Sequence, residues 1–197
     1  MVTATLYVEG GGDGRSLRAR FREGWSGFFK SADLGGSVKI VRGGGREQTF
    51  HRFASAVASG RAGAPVLLVD SEDPVAPGSS VWQHLHDRDG WTRLDGAGDD
   101  QAFLMVQLME TWFLADRDAL RRYFGAQFRE NAVRQWPALE AVPKATVLET
   151  LDRATAACRK RYAKGRVSFE LLARIVPARV EAACPHARAL LDRLRAQ

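Results

Sequence analysis

Cysteine is scarce: the 197 residues hold only Cys158 and Cys184, and neither has a C-x-x-C partner. That count excludes a disulfide framework and a four-cysteine zinc site, and it points to a reducing, cytoplasmic setting. Long hydrophobic runs are missing too. No stretch approaches the ~20 apolar residues that span a bilayer, so no membrane role is expected. The first residues, Met1 to Val8, enter a strand-like pattern at once, with neither a basic leader nor a cleavable apolar segment. The hydrolase signatures GxSxG and HExxH do not occur. Of the four histidines, His84 and His86 lie close together but lack a third ligand. There is no internal repeat and no low-complexity tract.

What is present suits a globular domain, with 45% hydrophobic and 26% charged residues. The net charge of +6 is unevenly divided: residues 1–116 carry net −3, and residues 117–197 carry net +9. An acidic front and a basic back suit a metal site beside a polyanion track. The alternative is that arginine-rich helices solvate their outer faces.

The hydropathy pattern predicts strands at Thr3–Val8, Ser37–Val41 and Pro65–Val69, each followed by a helix or loop. Leu17, Phe21, Trp25 and Phe28 mark the first helix, with Asp13 as its cap, and Phe50, Phe53, Ala54 and Val57 mark the second. Residues 74–100 read as one long irregular loop, and Ala102–Met109 as a fourth strand or the start of a helix. Asp116 caps a short helix ending at Gly125, Pro143 opens one running to about Tyr162, and Ser168 caps another. Pro177 and Pro185 occupy the first positions of two more. Strand–helix alternation argues for an α/β fold with a parallel sheet. The expected organisation is an α/β core over residues 1–125 and a basic helical extension over 126–197, packed together as one structural domain.

Ligands of open α/β sheets sit beyond the carboxyl ends of the strands. Two of the three strands end there in acids: Glu9 after the first, Asp70 and Glu72 after the third. An extended backbone would aim Asp70 and Glu72 the same way. Grouped carboxylates repel one another unless a cation joins them, and an oxygen-only set suits Mg²⁺ or Mn²⁺. The alternative is that these acids separately cap helices. Asp73 is a further ligand or a turn residue before Pro74. Glu110, in an apolar run, is another metal-proximal acid or base, or else an exposed residue. The runs Gly10-Gly11-Gly12 and Gly43-Gly44-Gly45 match neither a P-loop nor a dinucleotide fingerprint, but they allow close approach to the acids. Lys144, Arg159, Lys160, Arg161, Lys164 and Arg166 form a basic track for phosphates, with Tyr162 available to stack on a base.

The segments LYVEGGGD, VLLVDSED and METWFLAD together resemble the Toprim-like family of uncharacterised function found in bacteria. YAKGRVSFELL and EAACPHARALLDRL extend the likeness over nearly the whole chain. The Toprim signature is a Glu after the first strand and an Asp-x-Asp pair after the third. Glu9 matches the former; Asp70 and Glu72 fill the latter, with Glu in place of the second Asp. The resemblance implies a Toprim-like sheet and a Mg²⁺- or Mn²⁺-dependent nuclease acting on RNA or DNA. Glu9, Asp70, Glu72 and Glu110 would be its catalytic acids, and Glu9, Asp70, Glu72 and Asp73 its metal ligands. Lys144, Lys164, Arg161 and Arg166 would hold the nucleic acid. It further implies a role in anti-phage defence beside an ABC-type ATPase partner. The competing expectation is a non-catalytic regulatory subunit that binds such an ATPase.

Overall fold

In a computed structural model, the described residues are 2–10, 14–60 and 63–196. Four strands, β1 (Ala4–Glu9), β2 (Val38–Gly44), β3 (Ala64–Asp70) and β4 (Ala102–Met105), form one sheet in the order β2-β1-β3-β4. Every neighbouring pair is parallel. The carboxyl ends of all four strands therefore share one edge. The chain is thus α/β, with a parallel sheet between helices and an all-helical C-terminal third.

The apolar run of β3 reflects burial on both faces. Val66 and Leu68 join one cluster, and Leu67 and Val69 join the other. The second cluster is closed by α2 (Arg46–Ser59) and α3 (Val81–Asp89) through Phe53, Trp82 and Leu85. The first is much larger. It runs from α1 (Arg15–Ser31) through α4 (Glu110–Leu114) and α5 (Arg117–Phe124) to α6 (Lys144–Thr155), α7 (Arg166–Leu172), α8 (Pro177–Ala183) and α9 (Pro185–Arg195). Core and extension thus share one apolar interior. Among the described residues, no helix is long and apolar enough to cross a membrane.

Helix α1 lies against α7 at a point where side chains would not fit. A Cβ at Gly24 would stand 2.7 Å from the Phe169 carbonyl oxygen, and one at Gly27 would stand 2.9 Å from the Ala173 Cβ. Gly24→Ala is therefore expected to destabilise the protein by about 1–3 kcal/mol, because the opposing atom is backbone and cannot turn away. A thermal melt that matches wild type would show that the two helices can part without loss.

Several expectations need correction. Residues 74–100 are not one loop, since α3 lies within them. Ser80 Oγ accepts the Gln83 N–H at 3.1 Å, and Gly90 ends the helix in the left-handed conformation. Residues 102–109 split into β4 and the turn before α4. Strand β2 absorbs Gly43 and Gly44, where a Cβ at Gly43 would strike Thr49, so at Gly43 the glycine serves close packing of α2. Helix α6 stops at Thr155, whose hydroxyl accepts the N–H of Tyr162 at 2.9 Å as the chain turns back. Ser168 is not a cap but lies inside α7, with its Oγ accepting the Gly165 N–H at 3.2 Å. Asp13, Gly11 and Gly12 fall outside the described residues, and Gly14 occupies the cap position of α1. Asp116 does cap α5, accepting the Ala119 N–H, and Pro177 and Pro185 do open α8 and α9.

Candidate functional site

The shared sheet edge carries a cavity of about 400 Å³ lined by Glu9, Asp70, Glu72, Glu110 and Lys164, with Gly10, Met105 and Met109 among its walls. Each acid arrives by its own local route. Glu9 is the last residue of β1, just past a register irregularity against β2. Asp70 ends β3. Glu72 faces the same cavity for a reason other than extended alternation, because its backbone is left-handed, with φ 65°. A non-glycine residue there costs about 1–2 kcal/mol and must be held by its surroundings. Here the Ser71 N–H bonds to the Met105 carbonyl at 2.9 Å, and the Glu72 N–H bonds to the Gln107 carbonyl at 2.8 Å. Glu110 opens α4 and is 3% exposed, so the exposed alternative fails.

Two of the acids have cationic partners. Arg46 reaches Glu9 at 3.4 Å, grips Asp89 in a two-pronged pair at 2.9 and 2.7 Å, and donates to the Asp70 carbonyl. Lys144 pairs with Glu72, and its backbone N–H bonds to Gln107 Oε1 at 3.0 Å. Asp70 and Glu110 have no ion pair among the described residues. Asp70 Oδ1 accepts the Met109 N–H at 2.9 Å. Glu110 Oε1 accepts the Tyr162 hydroxyl at 2.6 Å and lies 3.4 Å from Ser168 Oγ.

Withdrawal from water pushes the Asp70 carboxyl well above the usual range, and the charges of Glu110, Glu9 and Glu72 push it further against the pull of the Met109 N–H. Burial raises Glu9 as well; the Arg46 charge opposes this and the Glu72 charge adds to it. Tyr162 is shifted upward by burial and by the Glu110 charge, so it stays a hydroxyl donor. The cavity thus gathers negative charge that the protein only partly neutralises. Among the described residues, no three carboxylate, imidazole or thiol groups draw together tightly enough to hold a metal ion as they stand. Glu9 and Glu72 are turned instead toward Arg46 and Lys144.

The other predicted residues lie elsewhere. Asp73 is exposed and pairs with Arg88 at 3.1 Å, away from the cavity lining. Arg161 pairs with Asp152 at 2.7 Å, and Arg166 with Glu170 at 2.7 Å, so neither lines the cavity with Lys164. Tyr162 is turned inward onto Glu110 and is not a stacking platform. Sequence reasoning missed Arg46, Asp89, Gln107 and Ser168. Arg46 had one signal, its position at the start of a helix directly after a glycine run. The others depend on contacts 37 to 58 residues apart in sequence, which no local pattern encodes.

A larger cavity, of about 890 Å³, lies beyond the β3–α3 connection, walled by Pro74, Val75, Trp136 and Leu139. It contains none of the four acids, so volume and chemistry point to different places, and the chemistry decides. No curated protein and no solved structure matches the chain. A family model covers residues 8–195, nearly the full length, and the chain belongs to that family, described as Domain of unknown function (DUF4276).

Proposed function

We propose that this protein is a Toprim-like, Mg²⁺- or Mn²⁺-dependent nuclease that hydrolyses phosphodiester bonds of RNA or DNA. The observation carrying this reading is the convergence of four carboxylates on one cavity at the sheet edge, two of them without a cationic partner among the described residues. An oxygen-only donor set with surplus negative charge fits a hard divalent ion. Asp70 would be the central ligand, with Glu9 and Glu72 beside it once they are released from Arg46 and Lys144. Such an ion, when bound, supplies Lewis acidity to a phosphodiester oxygen and to the attacking water.

The chain's own residues do the remaining work. Glu9, already shifted toward holding a proton, accepts one from the water. Lys164 at the cavity wall and Lys144, once freed from Glu72, neutralise phosphate charge. Tyr162 and Ser168 fix the Glu110 carboxylate so that its charge stays beside Asp70. Buried free thiols at Cys158 and Cys184 suit a reducing cytoplasm. An ABC-type ATPase partner in antiviral defence completes the proposal, and it sets the assay: cleavage of labelled RNA and DNA with Mn²⁺ or with chelator, with and without the partner. Lys164→Ala is expected to lower cleavage by about tenfold or more through loss of one charge-assisted phosphate contact. Equal cleavage by this variant would remove Lys164 from the site.

The second reading, a non-catalytic subunit that binds the ATPase, has its own support. The Glu9–Arg46 and Glu72–Lys144 pairs hold two acids in place with no metal. Cleavage by neither preparation, together with no metal binding, would favour it.

A further inference from the structure

Half of the fourteen arginines in residues 117–197 have a carboxylate partner among the described residues. Arg117, Arg121, Arg161, Arg166, Arg179 and Arg195 each have a carboxylate oxygen within ion-pair distance. Arg129, Arg134 and Arg153 behave differently. They line one pocket of about 300 Å³ together with Asn131, and no carboxylate pairs with any of the three among the described residues. Like charges gathered on one concavity repel one another, and a shared anion offsets that repulsion. Helix-end electrostatics accounts for Arg153 alone, since it lies in the last turn of α6, where a cation is favoured. Arg129 and Arg134 come from the segment before α6. That segment is tied down by the Arg129 N–H, which donates to the Ala154 carbonyl at 2.9 Å. The fold thus brings these guanidinium groups together from two separate stretches of chain.

We propose that Arg129, Arg134 and Arg153 form a phosphate-binding site, with Asn131 adding an amide. Guanidinium forks match the paired oxygens of a phosphate, and three of them favour a doubly contacted phosphodiester or phosphate group over a carboxylate. Helix α6 links this pocket to the acid cavity. Its first residue, Lys144, pairs with Glu72, and Arg153 follows nine residues later, about 14 Å along the axis. That spacing corresponds to roughly four base steps of a duplex strand. On the nuclease reading, on which this last step rests, the arginine pocket grips the backbone a few nucleotides from the bond that is cut.

The test uses the full chain and the triple variant Arg129→Ala/Arg134→Ala/Arg153→Ala. The probes are a short fluorescein-labelled single-stranded RNA, its DNA counterpart, and inorganic phosphate as competitor. All three residues are exposed, so circular dichroism and melting temperature should match wild type. The variant is expected to bind strands about 10–100-fold more weakly, and its slope of log affinity against log salt should fall by about 0.7, the share of the one phosphate the pocket holds on a single strand. Sequence should not matter. Unchanged affinity and slope overturn the proposal. If wild type binds inorganic phosphate but no strand, and the variant loses it, the site stands with free phosphate as its ligand; binding of neither overturns it. Asp70→Asn separates the two claims. If that variant binds strands like wild type, the triple variant does not, and no protein cleaves, the phosphate site survives and the nuclease reading falls.

Discussion

Asp70→Asn is expected to abolish metal-dependent cleavage, by a factor of about 10³ or more, while making the metal-free protein more stable at neutral pH. Asparagine keeps the acceptor for the Met109 N–H and nearly the same volume, so the local structure has no reason to change. What disappears is a charge held beside Glu9, Glu72 and Glu110. Relief of that repulsion and of the desolvation of the charge is worth on the order of 2 kcal/mol, or about 4–8 °C for a chain of this size. The sign follows from the upward shift of Asp70. Below its ordinary value of 3.8 the carboxyl is protonated in both folded and unfolded chains, and the substitution changes little. As pH rises through the raised folded value, the folded state must give up its proton against the field, and wild type loses stability that the variant keeps. The gain should therefore be absent in acid and grow as pH rises from the ordinary value toward the raised folded one. Melting curves from pH 3.5 to 8 read it directly. An equal or lower melting temperature for the variant at pH 7.5 would mean that Asp70 is a structural acid.

Arg46→Ala should have the opposite effect and a larger one. Arg46 is 15% exposed and is the cation between Glu9 and Asp89, the donor to the Asp70 carbonyl, and a cap over the Trp91 ring at 5.1 Å. Among the described residues, its removal leaves Asp89 with Arg88 alone and Glu9 with no ion pair, at about 3 kcal/mol, or roughly 6–12 °C. Asp89 is held below its ordinary range because the Arg46 hydrogen bonds and charge outweigh burial. A carboxyl depressed in this way contributes stability above its unfolded pKa that is lost as pH falls through the folded one. The destabilisation should accordingly be large at pH 7 and shrink in strong acid. Arg46→Lys should fall between, since lysine keeps the charge but not the fork that grips Asp89. A deficit that is flat with pH would indicate lost packing on Trp91 and not lost ion pairing.

The sheet was legible because apolar strands buried on two faces leave a continuous signal. Helix α3 was not, because Pro, Gly, Ser and Asp around it dominate the composition, although Ser80 and Gln83 at three-residue spacing already spell a capped start. The acids after β1 and β3 were visible as strand-end residues. Their neutralisation was not. The partners of Glu9, Glu72 and Glu110 lie 37, 72 and 52 residues away, and the left-handed turn at Glu72 comes from pairing with the Met105–Gln107 segment. Basic residues near the C-terminus were easy to find and hard to rank, since only packing tells a lysine on a cavity wall from an arginine already paired to a neighbour.

Calorimetric titration of the purified full chain with Mn²⁺, alongside Asp70→Asn, is the most direct test of the proposed metal centre. Wild type should bind, and at a hundredfold excess over its dissociation constant the ion should raise stability by about 2.7 kcal/mol, visible as a rise of roughly 5–10 °C. Asp70→Asn should show neither the heat nor the rise. Binding of equal strength by both proteins, or by neither, would contradict a metal centre built around Asp70.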